Sequence, residues 1–179
     1  GQRFSHRRSQ YGYVVIHRSP NNGVIKPVPE QVNVGLIGCG SMGSELARAV
    51  HRKEAGSARI IGLFDEYHLG RETLAKELAF GADSEPIQVD TVVELVSLPN
   101  LDLVIECASQ AAVVAHSETV LNAGISLLVM SSGALILPGF MRKVSAAAHE
   151  SGATIYIPSG AVGGIDALRA SKALLEEVT

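Results

Sequence analysis

From Val32 onward, short apolar runs alternate with stretches whose apolar residues recur every three or four positions. Val32–Gly38 is an apolar run of strand length. Ser41–Lys53 follows it, with Met42, Leu46, Ala49 and Val50 on one helical face. The same reading predicts strands at Arg59–Phe64, Ile87–Val89, Leu101–Cys107, Ile125–Met130 and Ala153–Pro158. It predicts helices at Leu69–Phe80, near Thr91–Val96, at Gln110–Ala123 and at Leu137–Glu150, with a last one from about Asp166. Gly124 and Gly152 follow two of these helices, where a glycine in the left-handed conformation commonly ends them. Strands and helices in this rhythm imply an α/β fold: a parallel sheet with helices on both faces. Six such strands make a doubly wound dinucleotide-binding (Rossmann) domain with expected strand order 3-2-1-4-5-6.

Residues 1–31 lack sustained periodicity. Ser19-Pro20-Asn21-Asn22-Gly23 is a turn cluster, and Pro27 and Pro29 follow. Tyr13-Val14-Val15-Ile16 is short and apolar and can pair as a strand. The segment is read as a basic, disordered leader. Its Arg- and Ser-containing, acid-poor composition also suits an organelle transit peptide, although Gly12 and the prolines oppose a long amphipathic helix. The domain reading is therefore a leader at 1–31, a dinucleotide-binding domain at 32–165, and at 166–179 the start of a helix leading to a further catalytic and dimerisation domain. The chain does not begin with Met and stops inside a helical pattern, so it reads as a fragment.

Composition narrows the function. A chain of 179 residues can bury a core without disulfides or a structural metal. Hydrophobic residues make up 46%, aromatics only 4%, and Trp is absent, which suits a Val/Ile/Leu/Ala parallel sheet rather than a face of stacking aromatics. The net charge of −3 is uneven: residues 1–31 carry five basic residues against Glu30, and the remainder carries ten basic against 17 acidic. An acidic folded part argues against nucleic-acid binding. No apolar run reaches 18 residues, so no membrane helix is expected. Cys39 and Cys107 lie 68 residues apart and form neither a disulfide framework nor a zinc motif, so a reducing, cytoplasmic compartment is expected.

The chemistry begins where the first strand ends. Gly38-Cys39-Gly40-Ser41-Met42-Gly43 is G-x-G-x-x-G between a strand and a helix, and Asp65 ends the second strand 22 residues after Gly43. Gly38 permits the tight turn, Gly40 leaves room for a pyrophosphate, and Gly43 allows close helix packing. The helix N-terminus presents free N–H groups and a positive dipole end. Cys39, Ser41 and Met42 contribute backbone to the same turn. Asp65 can accept from a ribose diol and repels a 2′-phosphate, favouring NAD; Arg71 can swing toward such a phosphate, which keeps NADP possible.

Ligands of such sheets lie beyond the carboxyl ends of the strands. The fourth strand ends in Glu106-Cys107-Ala108-Ser109-Gln110, the fifth in Met130-Ser131-Ser132-Gly133-Ala134-Leu135, and the sixth in Pro158-Ser159-Gly160-Ala161-Val162-Gly163-Gly164-Ile165-Asp166. Small residues at Cys107, Ala108, Ser109, Ser132, Gly133 and Ala161 let a nicotinamide ring approach. Single serines there also serve as turns or helix caps, and both cysteines also fit as small buried residues. His51, His116 and His149 fall on predicted helices and read as surface residues. Asp166 either caps the last helix or points into the site.

These strand-end segments, with Val34-Gly35-Leu36-Ile37-Gly38-Cys39-Gly40, resemble the L-aspartate dehydrogenase family over about residues 32–175. The resemblance implies oxidation of L-aspartate with NAD or NADP to iminoaspartate, which hydrolyses to oxaloacetate and ammonia or feeds NAD biosynthesis. It implies that Gly38, Gly40 and Gly43 hold the pyrophosphate and that Ala161 contacts the cofactor. It places the catalytic histidine beyond Thr179, in a second domain that also carries much of the substrate site and a homodimer interface. No catalytic residue and no metal ligand is therefore assigned here. The alternatives are a homoserine dehydrogenase-like or glucose–fructose-type oxidoreductase and a non-catalytic NAD-sensing module. The glucose–fructose type carries Glu-Lys-Pro where this chain has Ser131-Ser132-Gly133.

Overall fold

Leu36 and Ile37 are adjacent on one strand, point to opposite faces, and are both fully buried. Leu63 and Phe64, and Val104 and Ile105, repeat the pattern on neighbouring strands. Sheets covered on both faces require this double burial. The computed structural model describes residues 7–8, 13–15, 31–79 and 85–158.

Strands β1 (Arg7–Arg8) and β2 (Tyr13–Val15) precede β3 (Val32–Ile37), helix α1 (Ser41–His51), β4 (Ala58–Phe64), α2 (His68–Ala79), β5 (Ile87–Val89) and α3 (Val92–Val96). Then come β6 (Leu103–Glu106), α4 (Gln110–Asn122), β7 (Ser126–Val129), a 3-10 turn (Ser132–Ile136), α5 (Phe140–Ser151) and β8 (Ile155–Pro158). The parallel strands lie in the order β5-β4-β3-β6-β7-β8, which is the expected 3-2-1-4-5-6. Within the segment read as a leader, β2 pairs antiparallel with β8, and β1 with β2. Tyr13–Val15 of the predicted apolar stretch thus pairs as a strand, and Ile16 lies outside the described residues.

Two cores flank the sheet. Ala47 and Val50 of α1 and Leu74, Ala75 and Leu78 of α2 cover one face, against Val34, Leu36, Ile60, Leu63 and Ile105. Leu95 of α3, Val113, Val120 and Leu121 of α4, and Val144 and Ala148 of α5 cover the other, against Ile37, Phe64, Val104 and Leu127. The short α3 approaches closely because Gly62 has no side chain: a Cβ there would lie 2.4 Å from Leu98 Cδ1 and 2.7 Å from Leu95 Cδ1.

The predicted helix from Leu137 is corrected. Ser132–Ile136 forms the 3-10 turn, and α5 starts only at Phe140. Pro138 disfavours helical backbone at the residue before it, and Leu137 is extended (φ −60°, ψ 137°). Gly139 then turns through φ 78° to start the helix. Other boundaries shift by a few residues: α1 stops at His51, and Lys53 takes a left-handed φ of 63°. Gly124 and Gly152 both adopt left-handed φ of 76°, as expected of helix-ending glycines. The predicted helix from Asp166 lies outside the described residues.

Candidate cofactor site

The three glycines of the first turn differ in what the fold asks of them. Gly38 takes φ 97° and donates its N–H to the Phe64 carbonyl at 2.9 Å. A Cβ on it would lie 2.8 Å from Ala108 N, so the turn is pressed against the chain leaving β6. A Cβ on Gly43 would lie 2.0 Å from the Gly38 carbonyl oxygen. Gly40 is different. Its backbone (φ −70°, ψ −167°) suits any residue, and a Cβ there meets nothing within 4 Å. Packing requires the outer two glycines, while the space above Gly40 is open.

Helix α1 starts in this cradle without a side-chain cap and without an acid in its first turn. By contrast, Thr91 Oγ accepts from Glu94 N–H to cap α3, and Ser109 Oγ accepts from Ala112 N–H to cap α4. The first N–H groups of α1 are thus left to an external anion, and Ser41 and Met42 beside them are exposed. The open cradle and the uncapped helix fit a pyrophosphate. Ser44, which the sequence reading passed over, donates its hydroxyl to the Cys39 carbonyl at 2.8 Å and steadies the loop.

Asp65 faces this loop. One carboxylate oxygen accepts from Cys39 N–H at 2.5 Å and the other from Tyr67 N–H at 2.7 Å. Each oxygen keeps a lone pair for a ribose hydroxyl. Arg71 does not swing free. It is only 6% exposed and donates to the Val89 carbonyl and to Asp90 Oδ1, the latter at 2.7 Å. Its guanidinium holds the Asp90 carboxyl below the usual range. A signal for this burial is in the spacing: Arg71 shares the buried face of α2 with Leu74, Ala75 and Leu78.

Glu106 organises the strand ends on the other side of β3. It is 1% exposed, although it ends an apolar strand. Oε1 accepts from Ala108 N–H at 2.8 Å, Ser109 N–H at 2.9 Å and the Ser131 hydroxyl at 2.9 Å. Oε2 accepts from Ser131 N–H at 3.0 Å. Cys107, Ala108 and Ser109 are thereby brought beside the chain that enters Ser132 and Gly133. A Cβ on Gly133 would lie 2.4 Å from Gln110 Nε2, so the start of α4 rests on that turn. The residue type at Glu106 was the signal: one acid inside Leu103-Val104-Ile105-Glu106.

Burial, reinforced by Asp65, pushes the Cys39 thiol up to about 12. Burial and then Glu106 push Cys107 up to about 12 as well. Neither is a nucleophile near neutrality. Iodoacetamide at pH 8 is expected to label neither thiol in the native protein and both in denaturant. Rapid native labelling, read by mass spectrometry, would contradict this. His116 is half-buried rather than superficial, its ring 5.4 Å from Phe64 in an edge-on contact, and burial holds it below the usual imidazole range. Among the described residues no group of His, Cys, Asp and Glu is arranged to hold a metal. Ala161 and Asp166 lie outside the described residues.

A doubly wound sheet with an open glycine cradle, an uncapped helix start and an acid at the second strand end defines a dinucleotide-binding domain. The chain belongs to the family described as "Homoserine dehydrogenase, NAD binding domain", which matches residues 38–158, and so carries an NAD-binding domain. The resemblance to L-aspartate dehydrogenases is shown by relatives of that name. One from Archaeoglobus fulgidus is 34% identical over 145 residues, covering 81% of this chain and 53% of that protein. One from Methanococcus maripaludis (strain C6) is 36% identical over 138 residues, covering 77% and 49%. The chain spans about half the length of these curated relatives. Solved structures share the fold. GenD2 from gentamicin A biosynthesis, in complex with NAD, aligns with TM-score 0.67 at 22% identity over 82% of this chain and 40% of that one. Aspartate dehydrogenase from Thermotoga maritima aligns with TM-score 0.52 at 23% identity over 80% and 52%.

Proposed function

We propose that this chain is the cofactor-binding part of an NAD-dependent L-aspartate dehydrogenase that forms iminoaspartate, and from it oxaloacetate and ammonia. The observation that carries the reading is the set of relatives of that name, 32–36% identical over about four-fifths of the chain. Bound NAD would supply the hydride acceptor. Gly38, Cys39, Gly40, Ser41, Met42 and Gly43 cradle the pyrophosphate. Asp65 accepts from the adenosine ribose. Cys107, Ala108, Ser109, Ser132 and Gly133 would border the nicotinamide, and by the family resemblance Ala161 would contact the cofactor. NAD is preferred over NADP because Asp65 repels a 2′-phosphate and Arg71 is already committed to Val89 and Asp90. NADP binding is expected to be weaker rather than absent.

A substrate with two carboxylates needs cationic or helix-end partners. The strand ends on this crevice offer Cys, Ala, Ser and Gly instead. The residues that hold aspartate, the catalytic histidine and the homodimer interface are assigned to a second domain, and the setting is read as cytoplasmic. The 179-residue chain alone is therefore expected to bind NAD, to bind NADP less tightly, and to give no aspartate-dependent rise in NADH absorbance. Titration calorimetry with both cofactors and an absorbance assay check this, and turnover by this chain alone would overturn the division of labour. The family description favours homoserine as a second substrate reading. Comparing aspartate and homoserine on a version extended through the second domain decides between them.

A further inference from the structure

We propose that Glu106 is the positioning residue for the nicotinamide half of the cofactor, holding the loops after β6 and β7 in one frame and placing a buried negative charge beneath that half. The inference rests on the NAD reading above and assigns to one side chain the geometry of the second half of that site.

Glu106 joins its own strand end to a residue 25 positions away in sequence: it accepts from Ser131 N–H and hydroxyl on one side, and from the nearby Ala108 and Ser109 N–H on the other. Both oxygens accept from backbone N–H groups, which can only donate, so the site is built to receive a carboxylate. None of the ion pairs among the described residues includes it. Burying an acid without a cation is costly, and here the cost is offset by four donors that would otherwise be left unpaired at a sheet edge. By holding the N–H and hydroxyl of Ser131, the carboxylate fixes the chain that enters Ser132 and Gly133. A pyridinium is cationic and a dihydropyridine is neutral, so a carboxylate near the ring, held by neutral donors among the described residues, would favour the oxidised cofactor. Asp65, assigned to the adenosine ribose, accepts from Cys39 and Tyr67 N–H at the end of β4, across β3 from Glu106.

Glu106→Gln keeps the shape but removes the charge, and turns an amide N–H toward a donor. We expect it to weaken NAD+ binding about tenfold or more, to weaken NADH binding less, and to leave ADP binding within about twofold. Calorimetric titration of the 179-residue chain with NAD+, NADH and ADP reads all three. Parallel weakening of NAD+ and ADP would show a merely structural role and overturn the proposal, as would an unchanged NAD+/NADH preference. Ser131→Ala removes one donor and keeps the charge. It is expected to weaken NAD+ about threefold with ADP unchanged, and it carries the test if the Gln variant does not fold. An NAD+ affinity unchanged in that variant would then overturn the proposal. If the unsubstituted chain binds ADP but not NAD+, the NAD reading itself falls, and the proposal with it.

Discussion

Gly43→Ala is expected to lower the stability of the domain by about 3 kcal/mol or more, at the upper end of what overpacking costs. The added Cβ would lie 2.0 Å from the Gly38 carbonyl oxygen and 3.4 Å from Cys107 Cβ. The first of these contacts is backbone, so no rotamer change relieves it. Relief requires α1 to move away from the turn. That movement strains the Ser44 N–H to Gly40 carbonyl bond, the Ser44 hydroxyl bond to Cys39, and the Asp65 contact to Cys39 N–H. Ala47 and Val50 of the same helix are packed in the core, so the helix cannot tilt without opening it. Urea unfolding followed by circular dichroism reads the change. A loss below about 1 kcal/mol would mean that the helix slides freely over the turn, contrary to the packing described.

Gly40→Ala, three residues earlier, is expected to do the reverse. Its backbone conformation accepts a side chain, and the Cβ meets nothing within 4 Å. Stability is expected to fall by no more than about 1 kcal/mol, the cost of a poorer N-cap residue. NAD affinity is expected to fall about 100-fold, equivalent to about 2.7 kcal/mol, because the methyl group occupies the space left for the pyrophosphate. Calorimetric titration beside a melting curve separates the two quantities. Retained NAD affinity would remove the pyrophosphate from this cradle. A loss of stability matching that of Gly43→Ala would mean that the open space is not open. The two substitutions are chemically identical, so their opposite effects isolate packing from ligand binding.

The glycine turn was legible because its chemistry is local. Three glycines, a preceding apolar strand and a following helix sit within a dozen residues, and the backbone alone performs the task. Arg71 and Glu106 were legible only as types. Arg71 sat on an apolar helical face, and Glu106 ended an apolar strand. Their partners, Val89 and Asp90 for one and Ser131 for the other, lie on different elements. The helix misplaced at Leu137 has a local cause that apolar periodicity does not report, namely the proline at 138 and the turn at Gly139.

By itself the sequence determined the alternation of strands and helices, the order of the six parallel strands, and the cradle at Gly38–Gly43. Periodicity, right-handed crossovers and glycine backbone freedom act over short spans or through general rules of chain connection. Tertiary structure alone decided that Gly43 and Gly40 answer to different constraints, that Arg71 is spent inside the fold, and that one buried carboxylate joins two loops. Each of these depends on which atoms meet across the sheet edge, and those meetings are set by packing between segments that the sequence keeps far apart.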